Sequence, residues 1–203
     1  MNRTRHLIRT VTYLATQHLL QLGHRHIAFV GLDPAAAHGF TCAVDRHQGF
    51  TRALTEAGLP TNPALVKTTG FAAEAGAAAL IELLTDVEGN ARGLPTAVVA
   101  VSDEVAMGVL HAARRAGISV PHELSVIGVD DHDLSYLFDL TTIGQPAREQ
   151  GRVAAAMLLE QIRRRDRTHP QLISTRPELI HRNSTAPPRK QFPFSRREPP
   201  ERT

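Results

Sequence analysis

The stretch Ala97–Asp131 reads AVVAVSDEVAMGVLHAARRAGISVPHELSVIGVDD and contains one complete strand–helix–strand unit. Ala97–Val101 is a continuous apolar run with the length of a strand buried on both faces. Ser102 follows it, and serine caps helices because its hydroxyl accepts a backbone N–H that the first turn leaves unpaired. Asp103–Ala116 reads as a helix that stops at Gly117, where a left-handed C′ residue is expected. Ser125–Val129 is a second apolar run, ended by Asp130 and Asp131. Two buried strands joined by one helix pair in parallel through a right-handed crossover.

The same alternation extends upstream. His26–Leu32 and Leu65–Thr69 read as strands, and Arg46–Ala57 (stopped by Gly58) and Ala72–Leu84 as helices. The order predicts an α/β fold with a parallel, doubly wound sheet. Two further helices flank this unit. Near residues 5–22, Leu7, Val11, Leu14, His18 and Leu22 share one face. Near 147–164, Val153, Met157, Leu158 and Ile162 do the same. The four-strand unit already has three helices, so both outer helices are expected in another lobe. Pro177–Ile180 reads as an edge strand, and the Pro- and Arg-rich end from Pro187 as a disordered tail.

Composition narrows the class. Of 203 residues 42% are hydrophobic, none is Trp and aromatics make up 4%, so the core is aliphatic, as a helix-covered parallel sheet requires. Cys42 is the single cysteine, which excludes an intrachain disulfide. The net charge of +3 lies in the tail: residues 189–203 carry five basic and two acidic side chains, and the rest of the chain is neutral. A basic nucleic-acid-binding face is therefore not expected, and salt-sensitive DNA contact by the tail is a minor reading beside a solubilising one. The start MNRTRHLIRT shows no signal peptide, and no run reaches the roughly 18 apolar residues of a membrane span. A cytoplasmic protein is the expectation.

Open parallel sheets bind ligands beyond the carboxyl ends of their strands. The residues just past those ends are Asp33 with the loop to Arg46, then Phe71, then Ser102 and Asp103, then Asp130 and Asp131. Arg and Asp hydrogen-bond hydroxyls or ring heteroatoms, and Phe offers a flat apolar face, so the set suits a small polyhydroxylated or heterocyclic guest. Each residue also has a plain structural reading: Ser102 as a cap, Phe71 as core, Arg46 as a solvated helix start, Asp130 and Asp131 as a strand-ending turn. Their shared location favours the pocket.

Five pieces, in order and spacing, resemble the LacI/GalR-type regulators, whose sensor has a type I periplasmic-binding-protein-like fold. They are YLATQHLLQLGHRHIAFVG (Tyr13–Gly31), RHQGFTRALTEAG (Arg46–Gly58), the opening stretch, LTTIGQPAREQGRVAAAMLL (Leu140–Leu159) and LIHRNST (Leu179–Thr185). The resemblance implies effector contacts from Arg46, Phe71, Ser102 and Asp130, and a hinge at Thr141, Thr142, Ile143 and Gln145. Where such regulators often carry an effector-contacting aromatic, this chain has Ala147.

The resemblance also implies an organisation. Residues 1–22 would be a helix of the N-terminal sensor lobe, 23–140 the C-terminal lobe, 141–168 the hinge strand and helix returning to the N-terminal lobe, 169–187 the terminal strand, and 188–203 the tail. No helix-turn-helix pattern precedes Gly23, so operator DNA would be bound only through a head that this chain lacks. The implied partners are a sugar or nucleoside-like effector and a second copy of the chain. Effector binding by the chain alone is expected to be weak or absent, and both outer helices are expected to expose apolar faces. No cofactor or metal is expected.

Three other functions compete. The run Asp130, Asp131, His132, Asp133 suits a metal-dependent hydrolase, and His24-x-His26 a metal pair, although a polar loop and a helix-ending histidine are the plainer readings. No P-loop, G-x-S-x-G, H-E-x-x-H or cysteine pair supports catalysis, and Cys42 has no evident activating partner. An exported sugar-binding protein of a transporter would share the fold but requires a secretory signal.

Overall fold

The structure, a computed structural model, describes residues 3–32, 41–85, 94–164 and 176–189, and the side chains of these from Arg9 onward except that of Arg164. Asp33, Leu7's side chain and nearly all of the basic tail lie outside the described residues.

Six strands form one sheet: β1 (Ile27–Leu32), β2 (Val66–Thr69), β3 (Ala97–Ala100), β4 (Ser125–Asp130), β5 (Thr141–Gly144) and β6 (Glu178–Ile180). Their order is β2-β1-β3-β4-β5-β6. The first five are parallel, and β6 closes the edge antiparallel to β5. The five helices are α1 (Arg3–Gln21), α2 (Cys42–Glu56), α3 (Ala73–Thr85), α4 (Asp103–Arg115) and α5 (Ala147–Arg164).

Period-two alternation along the strands divides the core. Ile27, Phe29, Val99, Ile127 and Ile143 face α1 and α2, packing with Val11, Ala15, Leu19, Phe50 and Leu54. Ala28, Val30, Val98, Ala100 and Val126 face α3 and α4, packing with Leu80, Leu83, Val105 and Val109. The sheet is thus wound on both sides, as its unbroken aliphatic strands require.

The placement of α1 corrects an expectation. It covers the sheet beside α2 instead of belonging to another lobe. Val11 and Leu19 are fully buried there, each worth about 1.5–3 kcal/mol of transfer free energy. Four central strands present two faces, and three helices cover only one and a half of them. The fourth helix supplies the remainder. Close approach depends on Gly49 of α2, where a Cβ would stand 3.1 Å from the Arg9 carbonyl carbon. Thr12 Oγ1 donates to the Arg46 carbonyl across the same seam at 2.6 Å.

The segment Thr141–Ile143 is likewise an inner strand of this sheet, not a strand of a second lobe. Helix α5, by contrast, is expected to expose its apolar face, and among the described residues it does: Leu158, Leu159 and Ile162 are 58%, 56% and 64% exposed.

Helix ends follow local chemistry. Ser102 caps α4 by accepting from Val105 N at 3.3 Å. Gly58 and Gly117 each adopt a φ of +71° just past a helix. Gly23, at +100°, ends α1, with Gly23 N donating to Leu20 O and His24 N to Leu19 O. The idea that a charged His24 terminates α1 is therefore wrong. Its ring is buried between Thr96 Oγ1 (2.9 Å), Ser125 Oγ (3.1 Å) and Ala186 O (2.8 Å). Burial lowers its pKa from the ordinary 6.5 and favours the neutral ring, while the hydrogen bond to Ala186 opposes the shift. Helix α2 starts four residues earlier than expected, since Asp45 in its first turn is stabilised by Arg9 Nε at 2.8 Å.

Candidate functional site

With strand order β2-β1-β3-β4-β5, the winding reverses between β1 and β3, and the crevice outside the carboxyl ends opens at that point. Arg46 spans it. Its Nη1 donates to the carbonyl of Val101, just past β3, and its Nη2 lies 3.1 Å from Asp130 Oδ1, at the tip of β4. The guanidinium is nearly buried, with its side chain 11% exposed, and its Nε has no hydrogen-bond partner among the described residues.

Asp130 is the last paired residue of β4, opposite Gly144 of β5. That register puts Gln145 beside it, and Gln145 Nε2 donates to Asp130 Oδ1 at 2.6 Å. One oxygen thus receives both donors. Oδ2 accepts nothing from the described residues, and the side chain is 40% exposed. Burial raises the carboxyl's pKa above its ordinary 3.8, while the Arg46 charge and the Gln145 hydrogen bond oppose the rise. The site therefore offers a fixed carboxylate acceptor backed by a buried cation, a combination that takes a hydroxyl or ring N–H from a guest.

The four residues expected at the rim are not equally convergent. Arg46 and Asp130 are in direct contact. Ser102 adjoins Val101; its hydroxyl accepts from Val105 N to cap α4, and the side chain is buried. Phe71 follows β2 and is 47% exposed. It stands three strand spacings from β4, about 14 Å across the rim.

The residues expected at a hinge divide similarly. Thr141, Thr142 and Ile143 are fully buried in β5, and Gln145 is the first residue beyond it. Gln145 thereby also belongs to the candidate site, whereas the sequence pointed only to a hinge role. Only the β4–β5 register, invisible without a sheet order, could have shown it.

The acidic run after β4 does not converge on a metal position. Asp130 is held by Arg46, Asp131 by Arg182 Nη2 (2.8 Å), and Asp133 by exposed Arg148 (3.3 Å). His132 Nδ1 accepts from Leu134 N at 3.1 Å. Among the described residues no group of three His, Cys, Asp or Glu side chains is placed to hold a metal ion.

The helix-covered parallel sheet and its charged rim define a periplasmic-binding-protein-like lobe. Comparison with known sequences agrees: residues 16–185 match the periplasmic binding protein-like domain, and the chain belongs to that family. The transcriptional repressor PurR of Aliivibrio fischeri is 36% identical over 176 residues, covering 86% of this chain and 50% of its own length. A LacI-family regulator from Mycobacterium smegmatis superposes with a TM-score of 0.74 at 36% identity, over 89% of this chain and 64% of that one. A LacI-family regulator from Enterococcus faecium, solved with bound ribose, gives 0.73 at 32%, with the same coverage. The chain spans about half the length of the curated relatives it matches.

Proposed function

We propose that this chain is the effector-sensing lobe of a LacI-type transcriptional regulator, a binding module and not an enzyme. Asp130, backed by Arg46 and Gln145, receives a hydroxyl or N–H of a small sugar or nucleoside-like molecule, and Phe71 bounds the far side of the rim. The carrying observation is the polarised carboxylate, whose Oδ2 is left for a guest. The relative with bound ribose supports the ligand class.

The chain leaves the sheet at Gln145 and enters α5, so α5 is the lever by which a closing cleft would move a DNA-binding head. In energetic terms the effector shifts a population of lobe arrangements by its preference for one of them. A homodimer working in the cytoplasm fits this role. The apolar side chains of Leu134, Tyr136, Leu137 and Phe138, all exposed on one loop, supply a surface for a second copy. Among the described residues no helix is long and apolar enough to cross a membrane.

One wall of a cleft binds weakly, so the test is a heteronuclear NMR titration of the chain with D-ribose, cellobiose and adenosine. The amides of Ser102, Asp130, Asp131 and Gln145 are expected to shift at millimolar concentrations of at least one compound, and Asp130→Ala to abolish the shifts. No shift with any compound, or shifts that persist in Asp130→Ala, would overturn the assignment.

A further inference from the structure

The turn that carries Asp130 is unusual. Asp130 and Asp131 adopt φ values of +116° and +55°, consecutive positive values in residues that are not glycine. Asp131 lies in the left-handed region that aspartate tolerates. Asp130 lies outside it, in territory that a side chain normally avoids. Such a backbone persists only where its surroundings over-determine it.

Those surroundings centre on Asp103, a carboxylate whose residue is 1% exposed and which pairs with no cation among the described residues. Its Oδ2 accepts from His132 N at 2.8 Å and from Ser135 Oγ at 2.6 Å, immediately after the strained pair. Its Oδ1 accepts from Thr142 Oγ1 at 2.6 Å, on the strand that leads to Gln145. Thr142 Oγ1 is also within 3.4 Å of Asp131 N. Glycine at 128 leaves the space: a Cβ there would stand 3.1 Å from the Asp103 carboxyl carbon. A buried carboxylate without a cation is costly, and burial raises its pKa.

We propose that Asp103 is a positioning residue for the Asp130 carboxylate: its buried oxygens tie the loop 132–135 to β5 and hold the Asp130–Asp131 turn so that Asp130 meets Arg46 and Gln145. The proposal rests on reading Asp130 as the ligand acceptor. Asp103 itself touches no guest. It acts through the backbone on both sides of the site: one arm fixes the chain leaving Asp130, and the other fixes the chain arriving at Gln145.

The experiment uses the full chain and three variants, Asp103→Asn, Asp103→Ala and Ser135→Ala, with hydrogen exchange measured in the absence of ligand and D-ribose titrated by NMR afterwards. Asn keeps an oxygen for His132 N and Ser135, and its amide can donate to a rotated Thr142 hydroxyl. Each hydrogen bond lost from a charged group corresponds to about tenfold or more in local opening. In Asp103→Ala the amides of residues 131–135 are expected to exchange at least that much faster, with β1 and β3 unchanged and Asp103→Asn close to wild type. If Asp103→Ala loosens β1 and β3 as well, Ser135→Ala, which removes one arm only, decides: faster exchange confined to 131–135 supports the clamp. Unaltered protection there in the variant that keeps its core overturns it. D-ribose shifts that vanish in Asp103→Ala and return in Asp103→Asn support positioning, and shifts that survive in a folded Asp103→Ala refute it. Absence of any D-ribose shift in the wild type counts against the ligand assignment, while the exchange data still judge Asp103.

Discussion

Replacing Gly108 by alanine tests how closely α3 and α4 must approach. A Cβ at Gly108 would overlap the carbonyl oxygen of Ala73, and would lie 2.7 Å from its carbonyl carbon and 2.9 Å from Ala77 N. All three atoms are helix backbone, which cannot swing aside as a side-chain tip can. Relief requires the two helices to separate along the core that contains Leu80, Val105 and Val109. Overpacking of this kind costs about 3 kcal/mol, the upper part of the usual range. Alanine in a helix interior returns about 1 kcal/mol relative to glycine. The net loss of about 2 kcal/mol corresponds to a Tm lowered by about 4–8 °C for a chain of this size. Gly151→Ala is the control, since nothing lies within 4 Å of a Cβ there. It is expected to leave Tm unchanged or slightly raised. Thermal and urea unfolding followed by circular dichroism measure both. A Gly108→Ala protein as stable as wild type would show that α3 and α4 are not packed backbone to backbone, and would refute the reasoning.

Two further predictions concern groups outside the site. His18 and His24 are buried, and burial lowers both pKa values from 6.5, with neighbouring imidazoles adding to the effect at His18. The unfolded chain then binds more protons than the folded one, so their contribution is complete above about 6.5 and is lost as pH falls through that value. The urea midpoint is expected to drop between pH 7 and pH 5, and His24→Gln to flatten that drop; identical slopes would exclude His24 as its source. The raised pKa of Asp103 acts in the opposite sense, and it cancels when variant and wild type are compared at one pH. On α5, changing Leu158, Leu159 and Ile162 together to Gln is expected to lower the binding of an apolar dye without moving the urea midpoint. A lowered midpoint would mean that this face is packed after all.

The sequence made β1, β3 and β4 and their order along the chain legible, because each is a nearly continuous aliphatic run between turn residues. It placed Arg46 and Asp130 on one rim because Asp130 ends β4 and Arg46 lies in the first helix after β1. The lateral arrangement was not legible. That α1 covers this sheet depends on Gly49 meeting Arg9 across 40 residues, a contact no local pattern encodes. The roles of Gln145 and Asp103 arise from register and from the turn after β4, where two aspartates adopt backbone angles that propensity disfavours. Nor did local pattern show how far along the rim Phe71 stands: it lies beyond β2, an edge strand at the opposite end of the rim from Asp130.

The segment Ser184–Ala186 laces under the completed sheet. Ser184 O accepts from Val126 N, Ser184 Oγ bridges Thr141 N and Val126 O, and Ala186 meets both Ser125 and His24. During synthesis the strands that need these partners emerge some 45–60 residues earlier. Until Ala186 has cleared the ribosome, the nascent lobe carries an open seam of unpaired amides beneath β4 and β5. A stop codon placed just before Ser184 would therefore release a chain that has every strand and helix but cannot be sealed.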